Sequence, residues 1–369
     1  MILSTHSSKL ERWLGKEQTE IISKSMKDWY GPPIGIAGVP GSVYVCKGGD
    51  FKGPIRSGQF INAVDFAVER LKRIWRNSAR RSVYQLNTGF ASLSDLIAEA
   101  TAGKKQEMYF NKIGPTGVIA VTSSLWGLGP VPVGGADASV APGGDAPTKD
   151  TLGALYFNNP EAPDTTHFVR SDSCANLINS LLLYDRIFQV KKTMASIVTE
   201  AVTGVPTRYQ SVVPGSKDFA GGNFLFVEVG VTALAATAHN WTVCLYKNQV
   251  GADKTLPSLI GNASAIVRRL DHPVGQWFAP LADGDGGIKE LDQMQCSASV
   301  ATGVINFVIG HPIVFMPHFL ANMICILDGI NTAFNLEQIF DNAALGFLEI
   351  LKPVATATNY TGSITVVSG

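Results

Sequence analysis

Apolar residues in the first part of the chain recur at intervals of three and four. This spacing predicts amphipathic helices over about residues 8–28, 58–82 and 92–102. It recurs once further on, where Leu177, Leu181, Tyr184 and Phe188 fall on one line, and so predicts a long helix over residues 173–196.

The last part of the chain has a different period. After Tyr209, apolar and polar positions alternate, a pattern typical of half-buried strands. The clearest predicted strands cover residues 224–229, 241–246, 293–300 and 360–367, and shorter ones are expected at residues 152–157 and 167–170. Runs of this kind separated by Gly and Pro turns favour an antiparallel β-sandwich or jelly roll.

A segment between these regions is rich in small residues. Of the 21 residues from 127 to 147, 14 are Gly, Pro or Ala, so this segment cannot form a packed core alone. The predicted fold class is therefore α+β and β-rich. We expect a helix-containing N-terminal region (1–126), a Gly/Pro/Ala-rich arm or linker (127–150), and a β-rich domain (151–369) with one long helix (173–196).

Charge is scarce and unevenly placed. Only 16% of the 369 residues are charged, against about 25% in ordinary soluble domains. Residues 1–126 hold 17 Lys and Arg against 10 Asp and Glu, whereas residues 127–369 hold 13 against 20. From residue 293 to 336 the only charged residue is Asp328. A surface so poor in charge is expected to associate, and the opposed halves favour contacts between subunits.

The low-charge segment supplies the predicted subunit interface, since obligate interfaces resemble a domain core. The partners expected there are copies of the same chain and other subunits of the same assembly. The candidate interface residues are Met294, Cys296, Phe307, Ile309, Phe315, Phe319 and Ile324.

A basic stretch in the second predicted helix is the candidate for contact with packaged DNA. A solvated helix face, or a face opposite a partner's acidic patch, explains it equally simply. Its residues are Arg70, Lys72, Arg73, Arg76, Arg80 and Arg81.

Other possible sites do not fit known patterns well. The stretch from Asp283 to Ile288 resembles part of a calcium loop, but an apolar residue at the first ligand position favours a plain turn. His311 and His318 have no metal-binding spacing, and the five cysteines have no CxxC pair, which favours reduced thiols. We therefore expect no metal, cofactor, catalytic residue or membrane span.

Four phrases resemble structural proteins of tailed bacteriophages and prophages. They are LLLYDRIFQVKKTMASIVTEAVTGVPTRYQS at residues 181–211, GGNFLFVEVG at 221–230, QMQCSASVATGVINFVIGHPI at 293–313 and DGINTAFNLEQIFDNAALGFLEI at 328–350. The resemblance implies a virion protein, made in the bacterial cytoplasm, that builds or reinforces the phage head as a cement or decoration protein. An HK97-type major capsid protein is the alternative within this group.

Two other function classes remain open on the residues alone. A receptor- or glycan-binding module would stack sugars on exposed aromatic residues such as Trp241, Trp277 or Tyr360. A glycan hydrolase would need a second acid facing Glu228.

Overall fold

The computed structural model describes residues 90–116, 119–195, 197–262, 265–330, 336–350 and 354–369. Contacts within the chain divide it into Met1–Val83 and Tyr84–Gly369, and all described residues belong to the second unit. The helices predicted over residues 8–28 and 58–82 lie outside the described residues.

One short helix precedes the strands. Helix α1 covers Leu93–Glu99, within the predicted range, and continues into a π-helical turn at Ala100–Lys104. The Ser92 side chain caps α1 by accepting a hydrogen bond from the Asp95 N–H at 3.1 Å. Within this turn, Gly103 leaves helical geometry with a φ of 93°, which favours glycine.

Sixteen strands follow in the described residues. They are β1 (Lys105–Ile113), β2 (Ser123–Ser124), β3 (Pro130–Val131), β4 (Thr166–Ala175), β5 (Asn179–Thr193), β6 (Glu200–Ala201), β7 (Phe224–Val229), β8 (Asn240–Asn248), β9 (Asp253–Thr255), β10 (Leu259–Ile260), β11 (Ile288–Cys296), β12 (Val304–His318), β13 (Ile324–Asp328), β14 (Gln338–Ile339), β15 (Leu345–Ile350) and β16 (Asn359–Ser368).

The strands form three antiparallel sheets. Sheet A has the order β13-β4-β16-β1-β3, with β14 also paired to β4. Sheet B has the order β2-β15-β5-β12-β7. Sheet C has the order β10-β8-β11-β6, with β9 also paired to β8. The predicted β-rich, antiparallel character is confirmed, as are the strands expected at residues 224–229, 241–246 and 360–367.

Sheet B contributes to both large cores. Phe188 of β5 and Phe307 of β12 pack with Trp241 and Met294 of sheet C. Leu183, near the other end of β5, packs with buried residues of sheet A. The 15-residue strands β5 and β12 pair along their lengths and therefore connect the two cores.

The long helix predicted over residues 173–196 is wrong. That region contains the end of β4, a turn at residues 176–178, and β5. Every residue from Leu181 to Val190 is buried, because β5 lies between β15 and β12 and is covered on both faces. A strand covered on both faces has apolar residues at consecutive positions, so its period of two disappears from the sequence.

The Gly/Pro/Ala-rich segment packs on its own chain. Val140 forms a bridge with Lys191 and Asp145 with Gln189, so the segment lies along β5. Strand β1 precedes the segment and pairs over its full length with β16 at the other end of the chain. The described residues before the predicted boundary at 126 share one compact unit with residues 151–369, since β1 pairs with β16 and β2 pairs with β15.

Candidate assembly surface

A charged network lies inside sheet B. Arg186 and Glu228 are both fully buried and form two hydrogen bonds, of 2.6 Å and 3.3 Å. Burial alone would raise the pKa of Glu228, but the charge and hydrogen bonds of Arg186 hold it below its ordinary value. The carboxylate considered for a hydrolase is therefore fully buried and paired with Arg186 inside the sheet.

The same network fastens the Gly/Pro/Ala-rich segment to the sheet. Asn306 donates to Glu228 at 3.1 Å and to Asp137 of the segment at 3.2 Å. Arg268 also donates to Asp137, at 3.1 Å. Asn306 accepts from the backbone N–H of Ala138, which is itself buried. These contacts explain why a segment poor in large apolar residues stays on the sheet.

A second buried cluster involves a histidine and an aspartate. Asp271 accepts hydrogen bonds from the Trp241 Nε1–H at 2.8 Å and from the Asn262 backbone N–H at 2.6 Å. His239 Nε2 lies 2.8 Å from the same carboxylate. Burial lowers the pKa of His239, but its hydrogen bond to Asp271 outweighs burial and the pKa lies above its ordinary value. Since His239 Nδ1 lies 2.9 Å from the Thr237 carbonyl oxygen, both ring nitrogens hold positions inside the fold.

The residues considered for metal binding serve as structural contacts. Asp285 accepts hydrogen bonds from the Tyr246 hydroxyl at 2.6 Å and from Asn248 at 2.7 Å, which ties the turn at residues 283–284 to β8. His311 stacks on Tyr209 with ring centroids 3.8 Å apart, and His318 lies 3.0 Å from the Ser173 hydroxyl. In the described part of the chain, no three His, Cys, Asp or Glu side chains are placed to hold a metal ion.

The aromatic residues considered for sugar stacking are mostly internal. Trp241 and Tyr360 are buried in the two large cores, so they cannot contact a glycan. Trp277 is half-buried and packs against Phe224 and Phe278. These positions do not form a sugar-binding platform.

The predicted interface residues separate into two sets. Met294, Cys296, Phe307 and Ile309 are buried in the core that sheets B and C share. They cannot also contact another subunit, so including them was wrong: the lack of charge there reflects burial within the chain. The other three, Phe315, Phe319 and Ile324, are exposed to solvent in this chain.

The exposed part of the low-charge segment forms what we call the apolar corner. It consists of Phe319 (77% exposed), Leu320 (60%), Met323 (57%), Ile324 (67%) and Ile326 (52%). These residues connect the end of β12 in sheet B to β13 at the edge of sheet A. At about 200 Å² for a full side chain, the five expose roughly 600 Å², the upper end for the largest apolar patch of a typical monomer.

The sequence prediction missed Leu320, Met323 and Ile326. The sequence feature that could have identified them is a run of large apolar residues on both sides of a turn. The turn occupies residues 321–322, and Asn322 has a φ of 60° there. Turns are usually polar because they lie at the surface, so apolar residues on both sides of one indicate a covered surface.

The outer face of sheet A continues from the apolar corner. The strand register aligns side chains across four strands in two rows of this face. The first row is Ile324, Cys174, Thr361 and Asn111, and the second is Ile326, Asp172, Ser363 and Tyr109. Each row begins with an exposed isoleucine at the β13 edge and becomes polar towards the middle of the sheet.

The remaining expectations concern the basic residues of the second predicted helix, the cysteines and a membrane span. The basic residues from Arg70 to Arg81 lie outside the described residues, so DNA contact stays a prediction. Cys174, Cys244, Cys296 and Cys325 are free thiols in the structure. Within the described residues, no helix combines the length and apolar character needed to cross a membrane.

Comparison with known proteins gives distant matches only. No family model matches the chain, and no curated protein matches it. One similar solved structure is that of the infectious bursal disease virus Gt strain, at 8% identity and a TM-score of 0.13, covering 72% of this chain and 81% of that one. Another is the infectious bursal disease virus VP2 subviral particle, at 10% identity and a TM-score of 0.14, covering 71% and 80%. At these scores neither structure defines the fold of this chain.

Proposed function

We propose that this protein is a structural component of a virion that assembles with copies of itself and with other capsid subunits. The observation that carries the proposal is the apolar corner, which lies in a 44-residue stretch, from residue 293 to 336, with one charged residue. The exposed side chains of the corner lose contact with water when another subunit covers them, and this drives association.

The buried charges support a structural role for the folded unit. Charged groups inside the described part of the chain, such as Arg186 with Glu228 and Arg208 with Asp185, form ion pairs that hold strands and the Gly/Pro/Ala-rich segment together. The proposed role requires no reaction and no cofactor.

The finer assignment within this role rests on the resemblance of the sequence phrases. We place the protein in the head of a tailed bacteriophage, as a cement or decoration protein that reinforces the shell. An HK97-type shell subunit is the second candidate, favoured by the same phrases.

Sedimentation velocity over a range of protein concentrations tests self-association, and proteomics of purified particles tests the location. We expect concentration-dependent oligomers and a virion fraction that contains the chain. A monodisperse monomer at high concentration, together with absence from every particle fraction, would overturn the proposal.

Substitution in the apolar corner provides the matched test. Phe319→Asp removes the most exposed side chain of the corner and should weaken association by about 10- to 100-fold, from roughly 1.5–3 kcal/mol of lost burial. Leu152→Asp is the control, because Leu152 is 62% exposed and belongs to another surface. Equal effects of the two substitutions would show that the corner has no special role.

A further inference from the structure

Strand β13 is the edge strand of sheet A and borders the apolar corner. Among the described residues, no strand pairs with its outer edge. Exposed apolar edge strands readily pair with another chain, and proteins usually protect them with charges, prolines or covering segments. Ile324 and Ile326 present neither charge nor proline at this edge.

The hydrogen-bond pattern shows which backbone groups of β13 face outward. The Gly329 N–H donates to the Val169 carbonyl oxygen at 2.7 Å, and the register places these residues opposite each other. Hydrogen-bonded pairs alternate in an antiparallel ladder, so Leu327 and Cys325 also bond to β4. The N–H and C=O groups of Ile324 and Ile326 therefore point away from the sheet.

We propose that two copies of the chain pair their β13 strands antiparallel about a two-fold axis at Ile326. This inference rests on the proposed self-assembly and names the surface and register it uses. Ile326 lies opposite Ile326 of the second copy, and Ile324 lies opposite Asp328. Sheet A then continues from one copy into the other.

A second copy suits this edge better than other occupants for two reasons. Strand β13 has five residues, and its outward-pointing N–H and C=O groups belong to every second residue. An identical strand running antiparallel can therefore form hydrogen bonds with all of these groups. The charges are also compatible, because the two Asp328 residues face isoleucines rather than each other, and each lies opposite Arg170 of its own β4.

The area is consistent with a dimer. The apolar corner exposes roughly 600 Å², about three quarters of one side of a standard interface of about 800 Å² per partner. The polar rows of sheet A beside the strand supply a rim of the kind such interfaces have.

Disulfide trapping tests the register in the full chain. With Cys174 and Cys325 replaced by serine, Ile326→Cys should cross-link to itself, since Cα atoms in a hydrogen-bonded pair lie about 5.5 Å apart, within disulfide range. Ile324→Cys alone should not cross-link, whereas a mixture of Ile324→Cys with Asp328→Cys should. A self-link through Ile324→Cys, or none through Ile326→Cys in a protein that still oligomerises, would overturn the proposed register.

Charge at the edge tests the pairing independently. Ile326→Lys should weaken dimer formation at least about tenfold, because a lysine at an edge strand opposes strand addition. Val131→Lys is the matched control, since β3 lies at the opposite edge of the same sheet and Val131 is similarly exposed. Both variants should keep the circular dichroism spectrum and melting temperature of the parent protein.

The remaining outcomes separate this inference from the proposed function. Oligomers that survive Ile326→Lys would refute β13 pairing and leave virion assembly intact. A parent protein that stays monomeric would refute β13 pairing, and together with absence from every particle fraction it would refute the proposed function as well. An Ile326→Cys thiol that neither cross-links nor reacts with a maleimide would show that another segment covers the strand, which also overturns the pairing.

Discussion

Glu228→Gln should lower the free energy of unfolding by about 3–5 kcal/mol, because it leaves the buried Arg186 guanidinium without its counter-charge. The pair has no contact with water, and its shorter hydrogen bond is 2.6 Å. Gln189 accepts a further bond from Arg186 Nε at 2.6 Å, and the guanidinium lies 4.8 Å from the Trp126 ring centre. The side chain is held on several sides, so it cannot move to water when its partner is neutralised.

A double-mutant cycle separates the pair from its surroundings. Arg186→Met alone should cost about as much as Glu228→Gln, since each leaves one buried charge. The double variant Arg186→Met/Glu228→Gln should cost clearly less than the sum of the two, with a coupling free energy of about 2–3 kcal/mol. The double variant is still less stable than the parent, because the Gln189 side chain loses the hydrogen bond that Arg186 donates to it.

The assay is urea unfolding followed by tryptophan fluorescence, with Trp126 as a local probe. The Arg170–Asp172 ion pair is the control, because it has a similar distance of 2.9 Å but is largely exposed. Arg170→Met should change stability by less than about 1 kcal/mol. Additive single-variant effects, or a cost for Glu228→Gln no larger than that of Arg170→Met, would refute the reasoning.

Three further predictions concern stability and reactivity. Burial lowers the pKa of His272 to about 4 and that of His167 to about 4, from 6.5. Between pH 6.5 and about 4, these histidines are protonated in the unfolded chain but not in the folded chain. The free energy of unfolding should therefore fall as the pH drops from 6.5 to about 4, by up to about 3 kcal/mol per histidine. His272→Gln should flatten this pH dependence in urea unfolding. Gly144→Ala should lower the free energy of unfolding, measured by thermal unfolding, by about 1–3 kcal/mol, because Gly144 has a φ of 65° and an added Cβ would lie 2.6 Å from the Gln189 carbonyl oxygen. Gly143→Ala is the control and should be neutral, because an added Cβ there would meet no atom within 4 Å. Burial raises the pKa of Cys244 to about 12, so its thiol should resist a thiol reagent until urea unfolds the protein; rapid labelling of the folded protein would contradict its burial.

The sequence predicted several strands correctly, including the fully buried β7, but it did not predict the long buried strand β5. Strand β8 alternates between core and solvent from Cys244 onward, where Cys244, Tyr246 and Asn248 are buried and Leu245 is exposed, so its sequence kept a period of two there. Strand β5 is covered on both faces, and its consecutive apolar residues fitted a helix by chance. Only tertiary structure reveals the second covering layer, so no local pattern distinguishes the two cases.

The candidate surface was predicted in part for a related reason. The absence of charge marks both interior strands and covered surfaces, and the sequence does not separate them. Phe307 and Phe319 lie twelve residues apart in the same low-charge segment, yet one is in the core and the other is the most exposed large apolar residue among those the structure describes. The difference arises where β12 ends at His318 and the chain turns towards the edge of sheet A.

The position of β16 has a consequence for biosynthesis. Strand β16 lies between β4 and β1, so sheet A lacks a central strand until residues 359–368 have left the ribosome. Strand β13 is made earlier, but its partner β4 has no neighbour on the other side until then. A nascent chain therefore cannot complete sheet A, with β13 at its edge, before β16 has been made.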